Sequence, residues 1–473
     1  MPSGRANAGR DFAASRDNAR PEEEDPLPSH ISQFEALMGR LDRREAVLGI
    51  MGLGYVGLPM ALAAGEAGFK VLGFDVSARR VAAINGAEQV ISYIGEDVMK
   101  AAIGSGRLEA TTDFARLKEA DAILICVPTP VTKHRDPDLS FVVATATSIG
   151  EHLRPGQLVV LESTTWPGTT REVVQPLMEK GGLKVGKDVF LAFSPEREDP
   201  GNPNFSTKSI PKVVGADDPQ SRALAVKLYE QVVSKVVAVS SAGAAEAAKL
   251  TENIFRSVNI ALVNELKLVY GAMGIDVWEV IAAASTKPFG FMPFYPGPGL
   301  GGHCIPVDPF YLTWKAREYG METRFIELAG QINTAMPRVV VDALASALNE
   351  AVGKGLKGAK VLLLGVAYKK NVDDTRESPS LVLIELIEGR GAVCDFHDPH
   401  IAAIPDTREH PGLAGRTSVA LTPEVIASYD AILVSTDHDA VDYALIERHA
   451  RLIIDTRNIF ARRGLTSAKV VKA

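Results

Sequence analysis

Short apolar runs alternate with longer amphipathic or polar stretches along most of this chain. Runs at 46–51, 70–74, 122–127, 158–161, 189–193 and 212–214 have strand length, and helical or loop segments separate them. That alternation predicts strands joined by crossovers, a doubly wound parallel sheet. The pattern changes at Ala242: to about Ala284 the apolar positions recur at helical spacing, with almost no breaker before Gly271. A second helical stretch runs from about Leu312 to Glu350, with an interruption expected near Met336-Pro337. From Gly358 the first pattern resumes, with strands at 360–364, 392–396, 431–435 and 452–455 and a helix over 380–388. Residues 1 to about 30 lack periodicity and predict a mobile arm. Ile31, Phe34, Leu37, Met38 and Leu41 then mark one short helix over 31–44.

A length of 473 residues corresponds to about three domains. The boundaries read as 1–45 for the arm and short helix, 46–240, 241–353 and 354–473. The net charge of -7 is spread without a long basic run, so nothing points to a nucleic-acid or membrane partner. Three cysteines, Cys126, Cys304 and Cys394, fit neither a disulfide framework nor a zinc site and favour a reducing compartment, read here as the cytoplasm. No apolar run approaches transmembrane length. Cys126 and Cys394 fall in apolar strands and read as core.

The first strand leads directly into Gly52-Leu53-Gly54-Tyr55-Val56-Gly57 and a helix, and the second strand ends in Asp75. This is a dinucleotide fingerprint in its required context. Gly52 permits the turn, Gly54 lets a pyrophosphate approach and Gly57 lets helix and strand pack, while the phosphates face a helix N-terminus. Asp75 would accept from ribose hydroxyls and repel a 2'-phosphate, which favours NAD over NADP. Tyr55, Val56, Arg80 and Thr129 complete the expected cofactor contacts within this domain. The unit after Gly358 echoes the first but carries Lys369 and Lys370 where the glycines stood, so it should bind something other than NAD. The fold expected is therefore α/β: two Rossmann-like doubly wound parallel-sheet domains joined by a helical middle domain with a long central helix.

Between the two helical stretches lies FGFMPFYPGPGLGGHCIPVDPFY, residues 289–311. Its glycines allow close backbone approach and its prolines limit motion, a combination suited to presenting the Cys304 thiol. His303 beside it reads as shaping the loop or touching substrate. Phe294 and Tyr295 could stack on a base or sugar, or equally pack on the middle domain. Lys249 and Asn253, four apart, share a helical face; spacing alone reads them as solvated. Polar segments at strand ends, Pro128-Thr129-Pro130, Glu162-Ser163-Thr164-Thr165 and Ser194-Pro195-Glu196-Arg197, lie where such sheets bind ligands.

Five motifs in order give this chain its likeness: GLGYVGLP (52–59), SPER (194–197), KLTEN (249–253), GLGGHCIPVDP (299–309) and AYKKNVDDTRES (367–378). Over residues 47–460 it resembles the UDP-glucose/GDP-mannose dehydrogenase family. The wording of 288–316 is closest to the branch acting on UDP-N-acetylglucosamine, with UDP-N-acetylmannosamine and UDP-glucose enzymes as relatives. The resemblance implies oxidation of a sugar C6 alcohol to a carboxylate with two NAD and one water, for surface polysaccharide synthesis. It implies that Cys304, with a lowered pKa, holds the aldehyde as a thiohemiacetal and then a thioester. Lys249 and Asn253 would steady the oxyanion, Asp308 would stand beside thiol and water, Glu196 would move the hydrolytic proton, and Thr164 would hold the water. Lys369, Arg457, Gly299 and Gly301, with Phe294 and Tyr295, would contact the UDP-sugar, and Arg376 the cofactor. Trp166 before a proline shifted by one position and Arg197 in place of phenylalanine depart from the commoner pattern and bear on substrate. A homodimer or higher homo-oligomer is expected. The rivals are a β-hydroxyacid dehydrogenase, which needs no thiol and no third domain, and a non-catalytic NAD-binding scaffold.

Overall fold

The structure is a computed structural model that describes residues 32–91, 93–132, 136–198, 207–302, 304–407 and 409–473. The arm expected over residues 1–30 lies outside the described residues, as does His303. The first helix, Gln33–Asp42, starts at a capping box: Ser32 Oγ accepts the Glu35 N–H at 3.2 Å, and the Glu35 carboxylate accepts the Ser32 N–H at 3.1 Å. Leu37 and Leu41 bury its apolar face.

Eight strands form the first sheet: β1 (Val47–Met51), β2 (Lys70–Phe74), β3 (Leu108–Thr111), β4 (Ala122–Ile125), β5 (Leu158–Leu161), β6 (Phe190–Phe193), β7 (Lys212–Gly215) and β8 (Val236–Val239). Their order is β3-β2-β1-β4-β5-β6-β7-β8. The sheet is parallel through β6, but β7 meets β6 antiparallel through the single pair Phe193 and Gly215, and β8 follows β7. β4, β5 and β6 are buried at every position, which is why they read as continuous apolar runs. β3 and β8 escape a sequence reading because one alternates and the other lies partly exposed.

The second sheet holds β9 (Lys360–Leu364), β10 (Val393–His397), β11 (Ala431–Val434), β12 (Ile453–Asp455) and β13 (Val470–Lys472), all parallel, in the order β10-β9-β11-β12-β13. Between the sheets run the helices Ala242–Ala272, Val277–Ala284, Asp308–Glu318 and Arg324–Val352. The interruption expected at Met336-Pro337 is absent, because Pro337 sits inside a continuous helix. The proline's missing N–H is tolerated in a helix held by packing on both sides: Pro337 borders Gly299, and the neighbouring helical residues Val340 and Val341 are fully buried. The chain breaks instead at Gly320, whose φ of +68° favours glycine.

The two long helices are joined by buried amides. Asn264 Nδ2 donates to Asn333 Oδ1 at 3.0 Å, Asn333 Nδ2 donates to the Ser257 carbonyl at 3.1 Å, and Asn264 Oδ1 accepts the Gly297 N–H at 3.0 Å. This ladder fixes the glycine-proline loop against the helices. No helix among the described residues is long and apolar enough to cross a membrane.

Candidate active site

The glycine turn after β1 has the geometry a dinucleotide needs. Gly52 takes φ +91° and donates its N–H to the Phe74 carbonyl at 2.7 Å. A Cβ on Gly57 would strike the Gly52 carbonyl, whereas one on Gly54 would meet nothing within 4 Å. The first is the close helix approach, the second the open face over which a pyrophosphate can pass. Val56 caps the helix Gly57–Glu66, whose N–H groups point to that face. Asp75 is buried at the end of β2, accepting from the N–H groups of Leu53 at 3.0 Å and Ser77 at 2.9 Å and pairing with Arg80 at 3.1 Å. These residues fit the cofactor that the fingerprint implies.

Arg376 arrives from the second α/β unit. Its guanidinium lies 4.6 Å from the centre of the Tyr55 ring, which also packs on Tyr93 at 6.2 Å, and Asp374 pairs with it at 2.6 Å. A cation over an aromatic ring at the lip of the glycine turn joins the outer domains where the cofactor would lie. Arg376→Met should raise the KM for NAD about 3- to 10-fold, the range for losing about 1 kcal/mol of contact between a partly exposed guanidinium and the cofactor, and initial rates at varied NAD check it. Thr129 lies beyond β4, where its carbonyl accepts the Tyr311 hydroxyl.

The second unit repeats the turn in altered form. Gly365 (φ +81°) leaves no room for a Cβ, which would stand 2.5 Å from the Thr436 carbonyl. Lys370 occupies the place of the third glycine, paired with Asp439 at 3.1 Å. Asp398, at the end of β10, accepts from Val366 and Ala367 N–H at 2.8 and 3.1 Å and from His438 at 3.1 Å. Its carboxylate is thus engaged by the protein, as the carboxylate of Asp75 is. Lys369 stands in this turn, and Arg457 follows β12.

Four predicted residues meet around the thiol. Lys249 and Asn253 are buried on one face of the helix Ala242–Ala272. Asn253 Nδ2 donates to Asp308 Oδ2 at 2.6 Å, and the Cys304 carbonyl accepts the Asp308 N–H at 2.8 Å, which winds the loop into the helix Asp308–Glu318. Burial pushes Asp308 up to about 7, against the pull of Lys249 and the Asn253 amide. Burial, with Asp308, also pushes the Cys304 thiol up to about 11, against Lys249, Arg376 and Arg256. That corrects the lowered thiol value expected from sequence: the cations are close enough to act but desolvation outweighs them.

Glycines seat this loop on the second unit. The Gly302 N–H donates to the Arg376 carbonyl at 3.0 Å. A Cβ on Gly301 would approach Tyr368 Cβ at 2.7 Å, and one on Gly299 would approach Pro379 at 3.0 Å. Phe294 packs edge-on to Phe255 at 5.7 Å, and Tyr295 stacks on Trp278 at 5.6 Å, so both rings contact the middle helices.

A buried charge cluster was not foreseen. Lys212 Nζ bonds Glu162 at 2.9 Å and Glu196 at 3.1 Å, and the Tyr229 hydroxyl donates to the other Glu162 oxygen. Burial raises the pKa of Glu162. Burial opposes the charge on Glu196 too, yet Lys212 and the N–H groups of Glu198 and Arg197 hold its pKa below the ordinary value. Lys212 heads an apolar strand and Glu162 directly follows another; charged residues bracketing buried strands were the available signal. Neither Glu196 nor Thr164 makes a hydrogen bond to Cys304, Lys249, Asn253 or Asp308 among the described residues. Arg197 turns away to pair with Glu252 at 2.6 Å.

Three family models match the chain in this order: the UDP-glucose/GDP-mannose dehydrogenase family NAD binding domain over residues 46–233, its central domain over 243–335 and its UDP binding domain over 362–462. The chain is 35% identical over 398 residues to UDP-N-acetyl-D-glucosamine 6-dehydrogenase of Pseudomonas aeruginosa, covering 84% of this chain and 91% of that protein. It is also 35% identical over 419 residues to UDP-N-acetyl-D-mannosamine dehydrogenase of Pyrococcus horikoshii, covering 87% and 95%. A solved UDP-D-ManNAc dehydrogenase from Pyrococcus horikoshii superposes with a TM-score of 0.80 at 32% identity, over 90% of this chain and 98% of that one.

Proposed function

Since the chain belongs to the UDP-glucose/GDP-mannose dehydrogenase family, we propose that it oxidises the C6 alcohol of a UDP-N-acetylhexosamine, UDP-N-acetylglucosamine first, to the uronic acid. The observation that carries this reading is the meeting of Cys304, Asp308, Asn253 and Lys249 around one buried point. When bound, NAD accepts two electrons and a hydrogen from the sugar at each of two oxidations. Asn253 gives one amide hydrogen to Asp308, which leaves its second hydrogen, with Lys249, to steady negative charge on the sugar oxygen. A thiol held at about 11 stays protonated at neutral pH, so its proton must leave as sulfur adds to the aldehyde. Asp308, pushed up to about 7, is matched to take it.

The second oxidation converts the thiohemiacetal to a thioester. Water then attacks the thioester carbon, the C–S bond breaks, and the thiol and a carboxylate are released. Glu196, kept ionised by Lys212, is the group assigned to accept the water's proton. The balance is one alcohol and one water to one carboxylate, with four electrons passing to two NAD. The same reading takes the protein as a homodimer, supported by the exposed stripe Phe255, Leu262 and Val269, spaced by seven residues along the helix Ala242–Ala272.

Two measurements test the reading. Complete conversion should yield two NADH per sugar nucleotide, and one NADH would overturn the four-electron reading. In parallel assays of UDP-N-acetylglucosamine, UDP-N-acetylmannosamine, UDP-N-acetylgalactosamine and UDP-glucose, the first should give the highest kcat/KM. Activity confined to UDP-glucose would overturn the N-acetylhexosamine assignment.

A further inference from the structure

Lys267 is a buried cation that the chemistry above does not use. It sits near the C-terminal end of the helix Ala242–Ala272, and its Nζ is buried with no hydrogen-bond partner among the described residues. Part of its surroundings on the helix is apolar: Val263, one turn earlier, packs with Val277 and Ile281, and Leu266 and Tyr270 lean on the same cluster. An ammonium in such a place normally acquires a carboxylate or carbonyl, because removal from water is otherwise uncompensated.

What approaches it is another cation. Asn264, one turn before Lys267 and so beside it on the helix, accepts the Gly297 N–H at 3.0 Å. A Cβ on Gly297 would come within 2.6 Å of Arg457 Nη1, so the arginine lies directly across the loop backbone. Burial and the charge of Arg457 together push Lys267 down to about 8. Arg457 Nε donates to the Ser435 carbonyl at 2.8 Å, and neither of its Nη groups has a hydrogen-bond partner among the described residues. The nearby acids are engaged elsewhere. Asp437 pairs with Arg462, and Asp455 accepts from the N–H groups of Arg457 at 2.9 Å and Phe460 at 3.1 Å. Two repelling cations, one from the middle helices and one from the region matched to a UDP binding domain, therefore converge where, among the described residues, no carboxylate pairs with either, although the charges of Asp437 and Asp455 act on Arg457.

We propose that Lys267 is a substrate-binding residue that, with Arg457, clamps the diphosphate of the UDP-sugar across the glycine at position 297. This rests on the UDP-sugar reading above and adds a residue from the middle domain to it. Two linked phosphates carry enough charge to satisfy both groups, and the bare backbone at Gly297 gives the guanidinium room to reach them. Binding raises the amine's pKa, so at pH 8.5 the complex must take up part of a proton from solution.

The test uses UDP as probe, with wild-type protein and Lys267→Met compared by titration calorimetry. Wild type should bind UDP, and Lys267→Met should bind it at least about tenfold more weakly at pH 7, with NAD affinity unchanged. In steady state the KM for the sugar nucleotide should rise by a similar factor while kcat stays within about threefold. At pH 8.5, titrations in two buffers of different ionisation enthalpy should show proton uptake for wild type and none for the variant. Removing an unpaired buried amine should also leave the ligand-free thermal midpoint unchanged or higher, which separates lost binding from misfolding. A Lys267→Met protein that is folded and binds UDP as tightly as wild type would overturn the clamp alone. A wild-type protein that binds no UDP would overturn the UDP-sugar reading beneath it.

Discussion

Cys304→Ala should lower the rate of net four-electron oxidation by roughly 10³-fold or more, the scale on which loss of a covalent nucleophile is felt. An aldehyde has no hydride to release until a nucleophile adds to its carbonyl. Without Cys304 only hydration by water can supply that addition, and no covalent bond retains the aldehyde meanwhile. Lys249, Asn253 and the glycine turn are untouched, so the variant should still reduce a supplied UDP-sugar aldehyde to the alcohol with NADH. It should yield no more than one NADH per sugar nucleotide, and intact-mass spectra of quenched wild-type turnover should show a sugar-nucleotide adduct that the variant lacks. Undiminished turnover by Cys304→Ala would remove the thiol from the reaction. The thiol's resting value near 11 adds a further expectation: iodoacetamide should alkylate it slowly at pH 7 and faster as pH rises.

The parts of this molecule that were legible in sequence are those where one local rule acts alone. Strand β5 begins and ends where its apolar run does, and β9 follows its run from Val361 after the exposed Lys360, because a parallel strand buried on both faces must be apolar where it is buried. The glycine turn was legible since Gly52 and Gly57 are each required by a backbone approach that a side chain would block. β13, with three residues, and β8, half exposed, carry no such pattern. Pro337 misled for the opposite reason: a local rule said break, and packing of two long helices overrode it. The site divides in the same way. Cys304 and Asp308 are close in sequence, but the Asn253–Asp308 bond spans 55 positions and the Lys212–Glu162 pair spans 50, so only the fold brings them together. Thiol pKa was the least legible quantity. Sequence names the nearby cations but not the burial that outweighs them.

Asp308→Asn should cut kcat by about 10²- to 10⁴-fold, the range for loss of a positioned proton acceptor, and at the same time make the protein more stable at pH 8. The two effects have one cause. Burial raises the Asp308 carboxyl to about 7, whereas in the unfolded chain it titrates near the ordinary 3.9. The folded state therefore holds this proton more tightly than the unfolded state does. Its contribution to stability is fully present below about pH 4 and is lost as pH rises through 7, amounting at most to roughly 4 kcal/mol by linkage. Asparagine carries no charge at any of these pH values, and its Oδ1 can still accept from Asn253 Nδ2, so packing and hydrogen bonding persist. Wild type and variant should thus have similar unfolding midpoints near pH 4 and diverge between about pH 4 and 7, with the variant the more stable above that range. In activity, wild-type kcat should rise with pH through the titration of Asp308, and the variant's residual rate should not follow that curve. A variant that keeps full kcat, or whose stability runs parallel to wild type across the range, would take the carboxylate out of the proton path and return Asp308 to a structural role at the start of its helix.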